Sequence, residues 1–157
     1  MNNAIYRAIY SKLSTDVTLL GYLGLTAEST DAEKFEKFLK RIPTEYINLP
    51  RVLVLASVYS RPHLDIRFFD KKIVQIRVQT KDSTGSLNFK ILSRIRELLD
   101  GETPQILSTD NISYWDMFEW EREDQAEVLH SDVYDYFNEY CITCAPRVNK
   151  KLLRETS

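Results

Sequence analysis

The sequence predicts an α+β fold in which an antiparallel β-sheet carries helices on one face, an αββαβββ-like sandwich. Three observations support this. The strand-like segments 51–60 and 68–81 are joined by a projecting loop at 61–67, so they form a long hairpin rather than a β-α-β unit. Apolar and polar residues alternate in the second segment, as in a strand with one face on the core. A helical stripe of Leu and Ile follows directly.

The N-terminal part is predicted to be helical. Apolar residues that recur every fourth position predict an amphipathic first helix: Ile5, Ile9 and Leu13. Asp16 offers a new N-cap, and a short second helix then ends at Gly21 or Gly24.

Residues 25–48 are predicted to be a peripheral insertion. Asp31 is placed to cap a helix with an apolar face made of Phe35, Phe38 and Leu39. Pro43 would end this helix, because proline lacks the amide that helical hydrogen bonding needs.

The hairpin leads into the strongest predicted helix. Asp82 or Ser83 would cap it and Gly101 would end it. Its apolar stripe consists of Leu87, Ile91, Leu92, Ile95, Leu98 and Leu99.

Three further strands are predicted after Pro104. They span 105–109, 114–121 and 133–144, with a turn at Asp110-Asn111 and an acidic connection at 121–127. We interpret residues 1–157 as a single domain with a flexible tail from 146.

The composition is that of a globular protein. Lysine and arginine total 21 against 23 aspartates and glutamates, a net charge of −2. This balance argues against a dedicated nucleic-acid binder, whose affinity comes mainly from a basic face that neutralises phosphates.

Cysteine and histidine give little sign of chemistry. Cys141 and Cys144 have the spacing of a redox or half-zinc motif, but they lie in a strand-like segment without a second ligand pair. We therefore expect two free thiols, buried or half-buried, in a protein made in a reducing cytoplasm. His63 and His130 stand alone.

An acidic segment is the strongest candidate for catalysis. It contains Asp116, Glu119, Glu121, Glu123 and Asp124, and strand alternation would place the three glutamates on one face. Such carboxylates could hold Mg²⁺ in a small metal-dependent hydrolase. Interleaved aromatic residues favour a solvated charged face instead, and a partner-docking patch is a third interpretation.

The hairpin tip carries a basic cluster of Arg61, Arg67, Lys71 and Lys72. It is either a solvated loop or an electrostatic contact with an acidic face of another copy. An aromatic group at Tyr134, Tyr136, Phe137 and Tyr140 is interspersed with carboxylates. It is therefore expected to pack against helices or a neighbouring subunit rather than stack nucleic-acid bases.

Four segments together resemble a known family: IYRAIYSKLSTDVTLLGYLG, LPRVLVLASV, KKIVQIRVQTKDSTGSLNFKILSRIRELLD and YFNEYCITC. Their order and hydrophobic pattern are similar to the tail-terminator, or tail-completion, proteins of long-tailed bacteriophages. The resemblance covers residues 1–24 and 49–145. The segments 25–48 and 121–132 depart from the family pattern.

The resemblance implies a non-enzymatic virion protein without catalytic residues, metal or cofactor. Family members share an α+β sandwich and form hexameric rings that cap the tail tube, stop its growth and receive the head connector. The implied partners are further copies of the chain, the tail-tube protein and a head-completion protein, with DNA passing through the ring. The implied location is the head-proximal end of the tail, after assembly in the host cytoplasm. A protein-binding adaptor that pairs through an edge strand is an alternative with the same fold.

Overall fold

The computed structural model describes the backbone of residues 2–62, 70–103, 112–115, 117–127 and 130–146, and the side chains of 5–55, 72–103, 117–127 and 130–143. The elements are α1 (Asn2–Leu13), α2 (Val17–Tyr22), α3 (Asp31–Phe35), β1 (Phe38–Leu39), β2 (Arg51–Pro62), β3 (Asp70–Thr80), α4 (Ser86–Leu99), β4 (Ile112–Trp115), β5 (Glu119–Gln125) and β6 (Tyr134–Pro146). The predicted α+β class is confirmed. None of the helices in this part of the chain has the length and hydropathy needed to cross a membrane.

The strands form one sheet in the order β1-β2-β3-β6-β4, and β5 also pairs with β6. Because β3 occupies one side of β6, β4 and β5 lie end to end along its other side. Every pairing is antiparallel except β1 with β2, which is parallel. β1 and β5 are therefore at opposite edges of the sheet.

The helices pack on one face of this sheet around a single apolar core. Alternation in β3 is confirmed, because Val74, Ile76 and Val78 are buried on the helix side. Asn88 of α4 is fully buried and accepts a hydrogen bond from the Thr80 hydroxyl at 2.6 Å. Its amide group also donates to the carbonyls of Val78 and Tyr134. These bonds satisfy a buried polar group and fix the start of α4 to β3 and β6.

Asp16 caps α2 as predicted, accepting a hydrogen bond from the Leu19 amide at 2.9 Å. The cap of α4 differs in detail. Gly85, in the left-handed conformation, occupies the N-cap position, while the Asp82 carboxylate accepts a hydrogen bond from the Leu87 amide. That bond is the main reason why the pKa of Asp82 lies below its ordinary value.

The prediction that Phe38 and Leu39 continue a helix from Asp31 is wrong. The helix, capped by Thr30, ends at Phe35, and the next residues form β1. The Tyr6 hydroxyl donates a hydrogen bond to the Phe38 carbonyl at 2.7 Å, and Phe38 is buried. Pairing with β2 and core burial outweigh the local helical pattern.

The acidic region also differs from the prediction. The expected strand 114–121 is two strands, and most of the expected connection 121–127 belongs to β5. Between them the Phe118 amide donates to the Glu102 carbonyl, and the Gly101 amide donates to the Phe118 carbonyl. This pairing with the end of α4 breaks the strand. The predicted strand 105–109 and its turn lie outside the described residues.

Candidate interaction surfaces

β5 is an acidic edge strand with the sequence EWEREDQ, and nearly all its side chains are exposed. Among the described strands, only β6 pairs with it. Charged side chains on an edge discourage uncontrolled strand addition, and they also give a docking partner a specific electrostatic pattern.

The three glutamates of β5 do not share a face. A register shift between Trp120 and Arg122 places Glu121 in a bulge. Glu119 therefore lies opposite Cys141 on the face away from the helices, and Glu123 lies opposite Asn138 on the helix side. The one-face arrangement that motivated a metal site is wrong, because strict alternation fails at the bulge. Asp116 lies outside the described residues.

The helix-side residue Trp120 anchors β5. The Arg96 guanidinium lies 3.7 Å from the centre of its ring, a cation–π contact. The backbone amide of Trp120 also donates a hydrogen bond to the Asp100 carboxylate at 3.0 Å. The start of β5 is thus fixed to the end of α4, whereas Glu121 and Glu123 project from the edge.

On the face away from the helices, four residues form a cluster around the exposed Arg122, termed the exposed cluster: Gln75, Arg122, Asp124 and Glu139. Arg122 donates to both carboxylate oxygens of Glu139, at 3.0 and 3.2 Å. It also lies near Asp124 and over the ring of Phe137. The cluster links β5, β6 and β3, and its arginine is 54% exposed.

The same face carries a buried cluster: Arg51, Arg77, Gln79 and Asp135. The Asp135 carboxylate is fully buried and accepts hydrogen bonds from Arg77 and Gln79. Gln79 in turn accepts a hydrogen bond from Arg51 at 2.7 Å. The cluster therefore connects β2, β3 and β6 through charged and amide groups.

The loop before β2 covers this buried cluster. Arg51 donates a hydrogen bond to the Ile47 carbonyl at 3.0 Å, and its guanidinium lies 5.7 Å from the Tyr46 ring. Tyr46 also contacts His130, at 5.1 Å between ring centres. The loop and the turn before β6 thus enclose one end of the face.

Among the described residues, Arg51 is one of the largest fully buried side chains, and its Nη2 atom has no hydrogen-bond partner there. Burial lowers its pKa from the ordinary arginine value. It is one of the residues that line a cavity of about 390 Å³ beside β1: Phe35, Glu36, Leu39, Pro43, Thr44, Glu45, Ile47, Asn48 and Arg51. The sequence singled out neither this arginine nor this cavity, because both depend on how the loop folds back.

The structure only partly supports the predicted basic cluster at the hairpin tip. Arg61 and Lys71 are register partners near its end, and Arg67 lies outside the described residues. Lys72 does not belong to the tip surface. It is 7% exposed and lies opposite Ile142 on the helix side, because it shares the alternation of Val74.

Cys141 is buried, as expected, and is in no disulfide bond among the described residues, while the side chain of Cys144 lies outside the described residues. Among the described residues, no group of three or more histidine, cysteine, aspartate or glutamate side chains is placed to hold a metal ion. The aromatic residues Tyr136 and Tyr140 pack on the helix side, whereas Phe137 lies on the opposite face under Arg122.

The structural comparison finds a similar fold in a chain of the virion of a native gene transfer agent particle. The TM-score is 0.66 at 13% sequence identity, and the match covers 91% of this chain and 96% of that one. No family model matches the sequence, and no curated protein matches it. The similarity therefore concerns the fold over nearly the whole of both chains.

Proposed function

We propose that this chain is a structural virion protein of a phage-like particle, which forms a ring on the head-proximal end of the tail tube. The ring ends tube growth and presents a docking surface to the head connector. Hexameric stoichiometry and passage of DNA through the ring belong to the same proposal, as do the tail-tube and head-completion proteins as partners.

The observation that carries the proposal is the fold shared with a gene transfer agent virion chain. Because both chains are covered almost completely, the similarity is not that of a small motif common to many proteins. The order of elements and the hydrophobic pattern in the sequence independently resemble the tail-terminator family.

The surfaces of the described residues also suit assembly. A closed ring needs a heterologous interface, in which one patch meets a different patch on the next copy. The chain offers an acidic edge at β5 and a cavity beside β1 at the opposite edge. Charged edges of this kind favour specific association over open-ended strand addition.

The test is assembly itself. Purified protein should form a discrete oligomer in size-exclusion chromatography with light scattering. In negative-stain images it should cap one end of tail tubes from the same particle. Tubes grown with the protein should be shorter than tubes grown without it. A protein that stays monomeric at high concentration and leaves tube length unchanged would contradict the proposal.

A further inference from the structure

We infer that the acidic β5 edge of one copy docks against the β1 edge of the next copy, which identifies the two surfaces of the ring contact. This inference rests on the proposed ring. It replaces the hairpin tip, one interpretation of which was a contact with an acidic face of another copy, with residues 34–41 and the cavity beside them.

The two edges carry charge of opposite sign. β5 holds four carboxylates and one arginine, whereas residues 34–41 hold four cations and one carboxylate. These segments lie at opposite edges of one sheet, so each copy presents an acidic side and a basic side. Head-to-tail contact between copies then pairs opposite charges at every interface.

Several of these charges form no ion pair within the described chain. Glu119, Glu121 and Glu123 make no ion pair among the described residues, and the same is true of Lys34 and Arg41. The carboxylates are exposed along β5. Charges left unpaired on two opposite edges are available to pair between copies.

The β1 edge also has the features of a docking groove. Exposed apolar side chains surround it: Phe35, Ile42 and Ile47 are each at least half exposed. The cavity beside β1 is lined by the buried Arg51, whose Nη2 lacks an acceptor among the described residues. Glu36 and Glu45 also line the cavity, so its charge is mixed, and the exposed apolar side chains contribute to docking alongside the cations of residues 34–41. Met117, 43% exposed before β5, is an apolar residue that the opposite edge supplies.

The hairpin tip is the weaker basic partner. Lys72, one of its four predicted cations, is buried on the helix side and does not contribute to a tip surface. The tip also lies at the end of the β2–β3 hairpin in the middle of the sheet, rather than at the edge opposite β5.

A charge-swap experiment tests the inference. Glu121→Lys with Glu123→Lys reverses the acidic edge, and Lys34→Glu with Arg41→Glu reverses the basic edge. Each pair should weaken ring formation at least about tenfold in light scattering and sedimentation. The chain that carries all four substitutions should regain rings, because every interface is complementary again. Circular dichroism and thermal melting confirm folding of each variant.

The matched control reverses the hairpin tip with Arg61→Glu and Lys71→Glu. Rings that persist in this control support the β1 edge as the basic partner. The control variant can instead lose rings and regain them when Glu121→Lys and Glu123→Lys are added to it. In that case β5 pairs with the hairpin tip, and the inference is overturned. If rings form in the wild type and also in both edge-reversal variants, the inferred contact is overturned, while the proposed ring itself is still supported. A wild-type chain that never forms rings contradicts the proposed function itself.

Discussion

The two polar clusters on the face away from the helices use the same chemistry in different surroundings. In the buried cluster, Asp135 is fully enclosed and its partner Arg77 is 12% exposed. In the exposed cluster, Arg122 is 54% exposed although its geometry with Glu139 is bidentate. Burial makes each charge depend on its partner, whereas solvent reduces that dependence. Loss of one partner is therefore expected to destabilise the fold much more in the buried cluster than in the exposed cluster.

The largest effect is expected from Asp135→Ala. The substitution removes the acceptor for Arg77 and Gln79 and leaves a buried cation without compensation. We expect a loss of about 3–5 kcal/mol in the free energy of unfolding, measured by urea denaturation.

The matched control is Glu139→Ala, on the same strand and the same face. It should cost less than about 1 kcal/mol, because the exposed Arg122 it leaves behind can be hydrated. Replacing both Arg77 and Asp135 by leucine should recover most of the stability lost in Asp135→Ala. Equal losses in the two alanine variants would remove the distinction between the clusters.

An intermediate effect is expected at the contact between α2 and α4, where Asp16 is 13% exposed and Arg94 is 31% exposed. Two hydrogen bonds from Arg94 are the main cause of the lowered pKa of Asp16, and the Leu19 amide adds to it. Asp16→Asn keeps a capping oxygen but removes the charge. We expect it to cost about 1–2 kcal/mol at neutral pH.

This loss should depend on pH with a defined sign. The folded-state pKa of Asp16 is depressed, so its stabilisation is complete above the unfolded value near about 4. It disappears as the pH falls through the folded value. Urea denaturation from pH 7 down to pH 3 should therefore show wild type and Asp16→Asn converging below about pH 4. Glu97→Gln, which removes the exposed partner of Arg94, serves as a low-cost control. A gap that stays constant with pH would refute the ionic origin of the effect.

Local sequence predicted the elements whose signals are local. The Leu and Ile stripe of α4, the alternation of β3 and the Asp16 cap all concern neighbouring residues. The inward position of Lys72 is also predictable from the sequence, because Lys72 lies two residues before Val74 and alternation places both side chains on the same face.

What sequence reasoning missed depends on distant partners. Phe38 lies in a strand because it pairs with β2 and its carbonyl accepts a hydrogen bond from Tyr6. A local helical pattern cannot reveal either contact. The ion pair of Arg77 with Asp135 joins residues 58 positions apart, so it follows from strand register alone. The bulge at Glu121 likewise depends on β6, and it divides the acidic residues between two faces.

The smallest effect on stability is expected from Arg122→Gln in the exposed cluster. Arg122 and Asp124 are each more than half exposed, although Glu139 is only 16% exposed, so solvent screens the charge of Arg122. The free energy of unfolding should therefore fall by less than about 1 kcal/mol, and by less still at high salt. Ring association should nevertheless change, because the substitution makes β5 uniformly acidic. If β5 meets the cations of residues 34–41, Arg122→Gln should strengthen association at low salt, as measured by sedimentation. If Arg122→Gln instead lowers the free energy of unfolding as much as Asp135→Ala does, Arg122 stabilises the fold in the way that the buried cluster does, and β5 has a structural role.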